Sequence, residues 1–289
     1  MKIIIDHTKP SENAPKHTGF TNAGQNNKKV VKNAGIDISE IEAAGIGAPG
    51  SIDPKKGEII YSNNLGFNNV SVCEILKEKT GFDFYLENDA NAAAWGEYLA
   101  GAGKGTQNFI MVTLGTGVGG GVIINGKIYA GFNYAGAELG HTVINTDGEA
   151  CTCGRNGCFE TYASATALIR QTKQEMIKHP DSIMWDLTNG DINNVSGITA
   201  FDAMRKGDFA GKKVVENYTY YLGVGIANIM NIFQPEIICI GGGICAEGDN
   251  VKWYNESALL LQDGTLKILQ ALLQTLMIGF GSTETISPT

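Results

Sequence analysis

The sequence predicts an α/β fold of two units with a ligand cleft between them, on three observations. Strand-like apolar runs alternate with helix-forming runs along most of the 289 residues, as in sheets covered by helices. That length is long for one compact core and comfortable for two. Two apolar runs exit into glycine-rich turns, "TLGTGVGGG" at 113–121 and "IGGG" at 240–243, and in α/β proteins such strand exits line the ligand crevice. The units are expected to be residues 1–107 and 108–289.

Each element follows from its residues. "MKIII" reads as a buried strand. Residues 7–33 are polar, rich in Asn, Lys, Thr and Gly, and without a period, so they read as loop that turns helical near 28–34. "EAAGIGAPG" is a strand running into a Gly/Pro turn. "SVCEILKEKTG" is a helix with Val72, Ile75 and Leu76 on one face and Gly81 just past its end. "DFYLEND" is a strand ending in carboxylates, and "ANAAAWGEYLAG" is built from strong helix formers. "NFIMVTLGTGVGGGVIINGKIYAG" reads as strand, glycine turn, strand, Asn-Gly turn, strand. "YASATALIRQTKQEMIK" and "GKKVVENYTYYLGVGIANIMNIF" are helical, and "PEIICIGGG" is a strand. The end, 253–289, is leucine-rich at helical spacing and fades into Ser, Thr and Pro.

Composition narrows the partners. The formal net charge is -8, and Lys28-Lys29 and Lys212-Lys213 are isolated pairs rather than a basic patch, so neither nucleic acid nor anionic membrane is expected as a partner. No apolar run reaches the roughly 18 residues of a spanning helix, and "MKIIID" is too short for a signal peptide. A cytoplasmic setting is expected, where six cysteines read as thiols or metal ligands rather than disulfides.

Several segments carry chemistry. In "TLGTGVGGG" the backbone N–H groups of a turn without bulky side chains can cradle an anion, with Thr116 adding a hydroxyl; the alternative is a glycine hairpin without a ligand. "LENDANAAAWGE" sets Asp89 at a strand-to-helix junction, where a carboxylate can accept a proton from a substrate hydroxyl; the alternative is that Asn88 or Asp89 only caps the helix. Asn63 and Asn64 in "YSNNLGF" have amides suited to sugar hydroxyls, or are simply turn residues. His141, Cys151, Cys153 and Cys158 have the spacing H-x9-C-x-C-x4-C. Three thiolates and an imidazole complete a tetrahedral structural zinc shell with no open position. Fixing that loop also fixes Glu138 and Glu160, which could accept hydrogen bonds from a polyhydroxylated ligand. Cys73, Cys239 and Cys245 read as structural thiols.

"GIGAPG", "SNNLGF", "ENDANAAAWGE", "TLGTGVGGGVIINGKIYAG", "AGAELGH" and "CTCGRNGCFE" occur in this order. Together they resemble the ROK family of sugar kinases and related repressors, its bacterial glucokinases most. The resemblance covers about residues 45–243. It implies a two-lobed actin-like ATPase fold, related to ribonuclease H, with sugar and ATP in the interlobe cleft. It implies an ATP-dependent hexose kinase acting on the sugar 6-hydroxyl, with glucose the first expectation and N-acetylmannosamine an alternative. Asp89 would be the general base. Asn64, Asn88, Glu138, His141 and Glu160 would bind sugar hydroxyls, with His141 also on zinc. Gly115, Thr116 and Gly117 would face the ATP phosphates, and Gly241, Gly242 and Gly243 the adenosine side. Mg2+ would accompany ATP, and a homodimer is implied.

The chain departs from the family pattern at two places. After "MKIIID" the family carries a phosphate loop like Asp-x-Gly-Gly-Thr, whereas here "HTKPSENAP" follows. The stretch before "GIGAPG" is also short for the hairpin that follows that loop. After Asp249 there is no small-residue Gly/Ala helix. A sugar-binding pseudokinase with an impaired nucleotide site is therefore the second expectation. A transcriptional regulator is not expected, since a DNA-reading helix-turn-helix would precede the first strand.

Overall fold

The structure, a computed structural model, describes residues 3–6, 43–62 and 65–244. The expected loop of 7–33 with its helical turn near 28–34, Asn63, Asn64, Cys245 and the leucine-rich end lie outside the described residues, as does the segment after β1 where the phosphate loop would fall. The chain divides into two compact units, Met1–Gly101 with Gly121–Ala137, and Ala102–Gly120 with Glu138–Thr289.

In the first unit, β1 (Ile3–Asp6), β2 (Ala43–Ala48) and β6 (Asp83–Asn88) form a parallel sheet in the order β1-β2-β6. A second sheet, antiparallel, joins β3 (Ser51–Asp53), β4 (Glu58–Ser62) and β5 (Phe67–Val70). The turn between β3 and β4 is held by Asp53, whose carboxylate accepts from the N–H groups of Lys55 and Lys56. Helix α1 (Val72–Thr80) ends at Gly81, which is left-handed at φ 80 and returns its N–H to Lys77 O. Its Val72 and Leu76 are buried with Ala44, Ile52, Ile59, Phe84 and Leu86, so one apolar cluster joins the helix to both sheets. Helix α2 (Asp89–Ala100) begins where β6 stops.

In the second unit, β7 (Phe109–Leu114) pairs in parallel with β10 (Ile237–Gly241), with Gly241 opposite Thr113. Phe109, Ile110, Val112 and Leu114 are all buried, as expected of a strand covered on both faces. Strand β8 (Val118–Ile124) leaves the glycine turn and passes at Gly121 into the stretch that belongs to the first unit, where it reaches β9 (Lys127–Ile128) through the Asn-Gly turn, both of whose residues have positive φ. The sheet has the order β10-β7-β8-β9.

The long helix α7 (Phe209–Phe233) buries Val214, Tyr218, Leu222 and Ile226 at intervals of four, with Val215 and Ile229 beside them. It packs on α3 (Glu160–Ala163), α4 (Ala165–Lys178) and α6 (Thr199–Arg205). A further short helix, α5, spans Met184–Leu187. The single helix expected from "YASATALIRQTKQEMIK" is in fact two. Ser164 is extended at φ -80 and ψ 165, and its hydroxyl caps α4 by accepting from Ala167 N. No helix among the described residues is long and apolar enough to cross a membrane.

Candidate functional site

In the first unit the site is the β6–α2 junction. Asn88 is the N-cap of α2, and its side-chain oxygen accepts from the N–H groups of Ala90 and Asn91. Its amide nitrogen donates to Gly50 O at 3.1 Å, tying the junction to the turn after β2. An amide has two N–H donors, so one remains. Glu87 Oε1 accepts from Asn88 N and Asn91 Nδ2. Asp89, the first helical residue, accepts from Ala90 N at 2.9 Å through Oδ1. Its other oxygen has no partner among the described residues.

In the second unit β7 runs into the turn Gly115-Thr116-Gly117. Gly115 donates its N–H to Gly117 O at 3.0 Å. Glu160, at the start of α3, reaches this turn: its Oε2 accepts from Val118 N at 3.0 Å. A Cβ on Gly117 would collide with that carboxylate, so a side chain there would displace Glu160 from its bond to Val118 N. The exit of β10 adjoins it. Gly242 has φ 108 and lies against the backbone of Leu114, the residue before the turn. Gly241, Gly242 and Gly115–Gly117 thus gather at the ends of two parallel strands, and Gly243 follows with open space at its Cα.

The metal-type residues of the same unit also converge. The ligand atoms of His141, Cys151, Cys153 and Cys158 all lie within 4.8 Å of one another. His141 Nδ1 is 3.5 Å from Cys151 Sγ, and Cys153 Sγ is 3.6 Å from Cys158 Sγ. Zinc–sulfur bonds of about 2.3 Å would set tetrahedral edges of about 3.8 Å, so the donor set fits a tetrahedral zinc. Nδ1 faces the cluster, which leaves Nε2 of His141 for another partner.

Backbone bonds shape the loop. Cys151 N donates to Arg155 O, and Gly154 N donates to Cys151 O. Gly157 has φ 72, and a Cβ there would strike Asn145 O. The Arg155 backbone N–H and guanidinium draw the Cys153 thiol down to about 6. Burial, reinforced by the neighbouring thiols, pushes Cys158 up to about 12. A bound cation deprotonates its coordinating thiols.

Glu138 is exposed just before the 3-10 turn Leu139–His141, and its carbonyl accepts from His141 N. Sequence reasoning missed Tyr162, whose hydroxyl accepts from Asn145 Nδ2 and Glu149 N and so pins the loop from α3. A tyrosine on an apolar helix face carries no signal of that task. Asn64, expected at the site, lies outside the described residues.

A model of the ROK family matches residues 17–260. The glucokinase of Halalkalibacterium halodurans is 40% identical over 215 residues, which are 74% of this chain and 64% of that protein. The chain therefore spans a little under two thirds of that relative. The xylose repressor of Bacillus spizizenii is 35% identical over 202 residues, 69% of this chain and 48% of that protein. Among solved structures, a ROK family glucokinase from Streptomyces griseus, in complex with glucose and AMPPNP, matches with a TM-score of 0.70 and 35% identity. That match covers 80% of this chain and 74% of that one. The fold is the actin-like ATPase fold of these sugar kinases. With its family model spanning 17–260, this chain belongs to the ROK family.

Proposed function

We propose that the chain is an ATP-dependent hexose kinase that phosphorylates the 6-hydroxyl of glucose. The observation that carries this is Asp89, fixed at a strand-to-helix junction with one carboxylate oxygen free of described partners, in a chain 40% identical to a glucokinase. Asp89 accepts the proton of the attacking hydroxyl. ATP with Mg2+ supplies the phosphoryl group and neutralises its charge.

The remaining roles follow the chemistry of each group. The spare N–H of Asn88, the amide of Asn64 and the carboxylates of Glu138 and Glu160 bind sugar hydroxyls. His141 carries zinc on Nδ1 and meets a sugar hydroxyl with Nε2. Cys151, Cys153 and Cys158 complete the zinc shell, which holds the loop bearing these groups. Gly115, Thr116 and Gly117 receive the phosphates, and Gly241, Gly242 and Gly243 the adenosine side. The protein acts as a cytoplasmic homodimer.

A sugar-binding pseudokinase is the second reading, favoured by the absence of a Gly-Gly pair after "MKIIID". One experiment separates them. ADP release is measured with ATP, Mg2+ and a panel of hexoses that includes N-acetylmannosamine, beside Asp89→Ala. The expected result is turnover on glucose that falls by on the order of 10²–10⁴ in the variant, with glucose affinity held within a few-fold. Equal turnover in both proteins removes Asp89 as the base. Glucose binding without turnover selects the pseudokinase.

A further inference from the structure

We propose that Thr166 is a positioning residue for the phosphate turn 115–117, acting from the first turn of α4; this rests on reading that turn as a nucleotide-phosphate cradle. A glycine turn has little side chain to set its shape, so the direction of its N–H groups depends on what holds its peptide planes. Three successive planes are held here. Ala165 N donates to Gly115 O at 2.8 Å. Thr166 Oγ1 donates to Thr116 O at 2.8 Å. Gly117 O accepts from Gly115 N, and the N–H of the same peptide, that of Val118, donates to Glu160.

In a trans peptide the C=O and the next N–H point opposite ways. Anchoring Gly115 O therefore aims the Thr116 N–H away from α4, and anchoring Thr116 O does the same for the Gly117 N–H. Neither N–H has a partner among the described residues. They form a pair of aligned donors, the arrangement that receives a phosphate oxygen. Of the anchors, only Thr166 supplies a side chain with no other proposed task. Glu160 serves as the third anchor, so its carboxylate belongs to the nucleotide half of the site as well as to the sugar half.

The test compares wild type with Thr166→Val, Thr166→Ala and Thr166→Ser. ATP affinity is read by calorimetry, and KM for ATP and for hexose by steady-state kinetics. Losing one anchoring hydrogen bond is expected to weaken ATP binding on the order of five- to tenfold in the valine and alanine variants. Hexose KM stays unchanged, and serine restores ATP affinity to within about twofold. Thr166 is exposed, so the alanine variant keeps the readout if valine disturbs the fold. Unchanged ATP affinity in a folded variant overturns the proposal, as does an equal loss for ATP and hexose or a failure of serine to rescue. A wild type that binds ATP but phosphorylates no hexose defeats the kinase reading alone, because the calorimetric comparison still decides Thr166. A wild type that does not bind ATP overturns both.

Discussion

Asn88 fixes the junction at which Asp89 begins α2. Its oxygen caps α2 and one amide hydrogen ties Gly50 O, so the side chain orients the helix that begins with Asp89. Asn88→Ala is expected to lower stability by about 1 kcal/mol and to reduce turnover by mis-setting Asp89, whereas Asn88→Asp keeps the cap. Thermal unfolding of the three proteins checks this, and an alanine variant as stable as wild type would refute the cap. The residue types at this junction were readable, because Asn-Asp before an alanine-rich run is a helix start in any protein. Which of the two caps the helix was not. Both residues are cap formers, and the local pattern does not say that Asn88 Oδ1 takes Ala90 N and Asn91 N while its amide nitrogen ties Gly50 O, 38 positions away in sequence. Thr166 was invisible because its partner carbonyl sits 50 positions away, and a threonine in the first turn of a helix has ordinary local uses.

Among the elements, the cysteine loop was the most legible, since four ligands, one histidine and three cysteines, within eighteen residues leave few other arrangements. The helix Val72–Thr80 and the Asn-Gly turn were legible from periodicity and turn chemistry. The sheet β3-β4-β5 was not, because its strands hold only three to five residues and alternate too briefly to show a period. The break at Ser164 was hidden by strong helix formers on both sides. Tertiary bonds at Gly115 and Thr116 set where α4 begins. The loop yields a prediction of its own. Purified protein is expected to carry one zinc per chain, lost in Cys158→Ser and released as pH falls, because protons compete for thiolates and imidazole. Chelation then lowers the melting temperature, since metal bound only by the native loop stabilises it by mass action. Metal analysis and a pH titration of bound zinc decide this; metal-free protein with fully reactive cysteines would remove the clip.

At the scale of the whole molecule the acid limit of stability has an identifiable contributor. Glu175 on α4 has a side chain only 7% exposed, and it meets Lys213 on α7 at 2.6 Å, Lys178 at 3.2 Å and His179 at 3.1 Å. Burial alone would raise its carboxyl pKa. The hydrogen bonds and charges of Lys213 and Lys178 outweigh burial and hold it below the usual glutamate value. A depressed pKa in the fold means that the ionised group stabilises fully above its unfolded value, and that this contribution drains as pH falls through the folded value. Both lysines are more than half exposed, so removing the carboxylate strands no buried cation, and the loss stays moderate. Glu175→Gln is expected to cost about 1–2 kcal/mol at neutral pH. The two proteins then converge in stability as pH drops through and below the usual glutamate range. Denaturant unfolding at pH 7 and at about pH 3 measures both gaps. A gap that stays constant between them would show that Glu175 contributes through packing alone, and that the charge linking α4 to α7 carries none of the acid sensitivity.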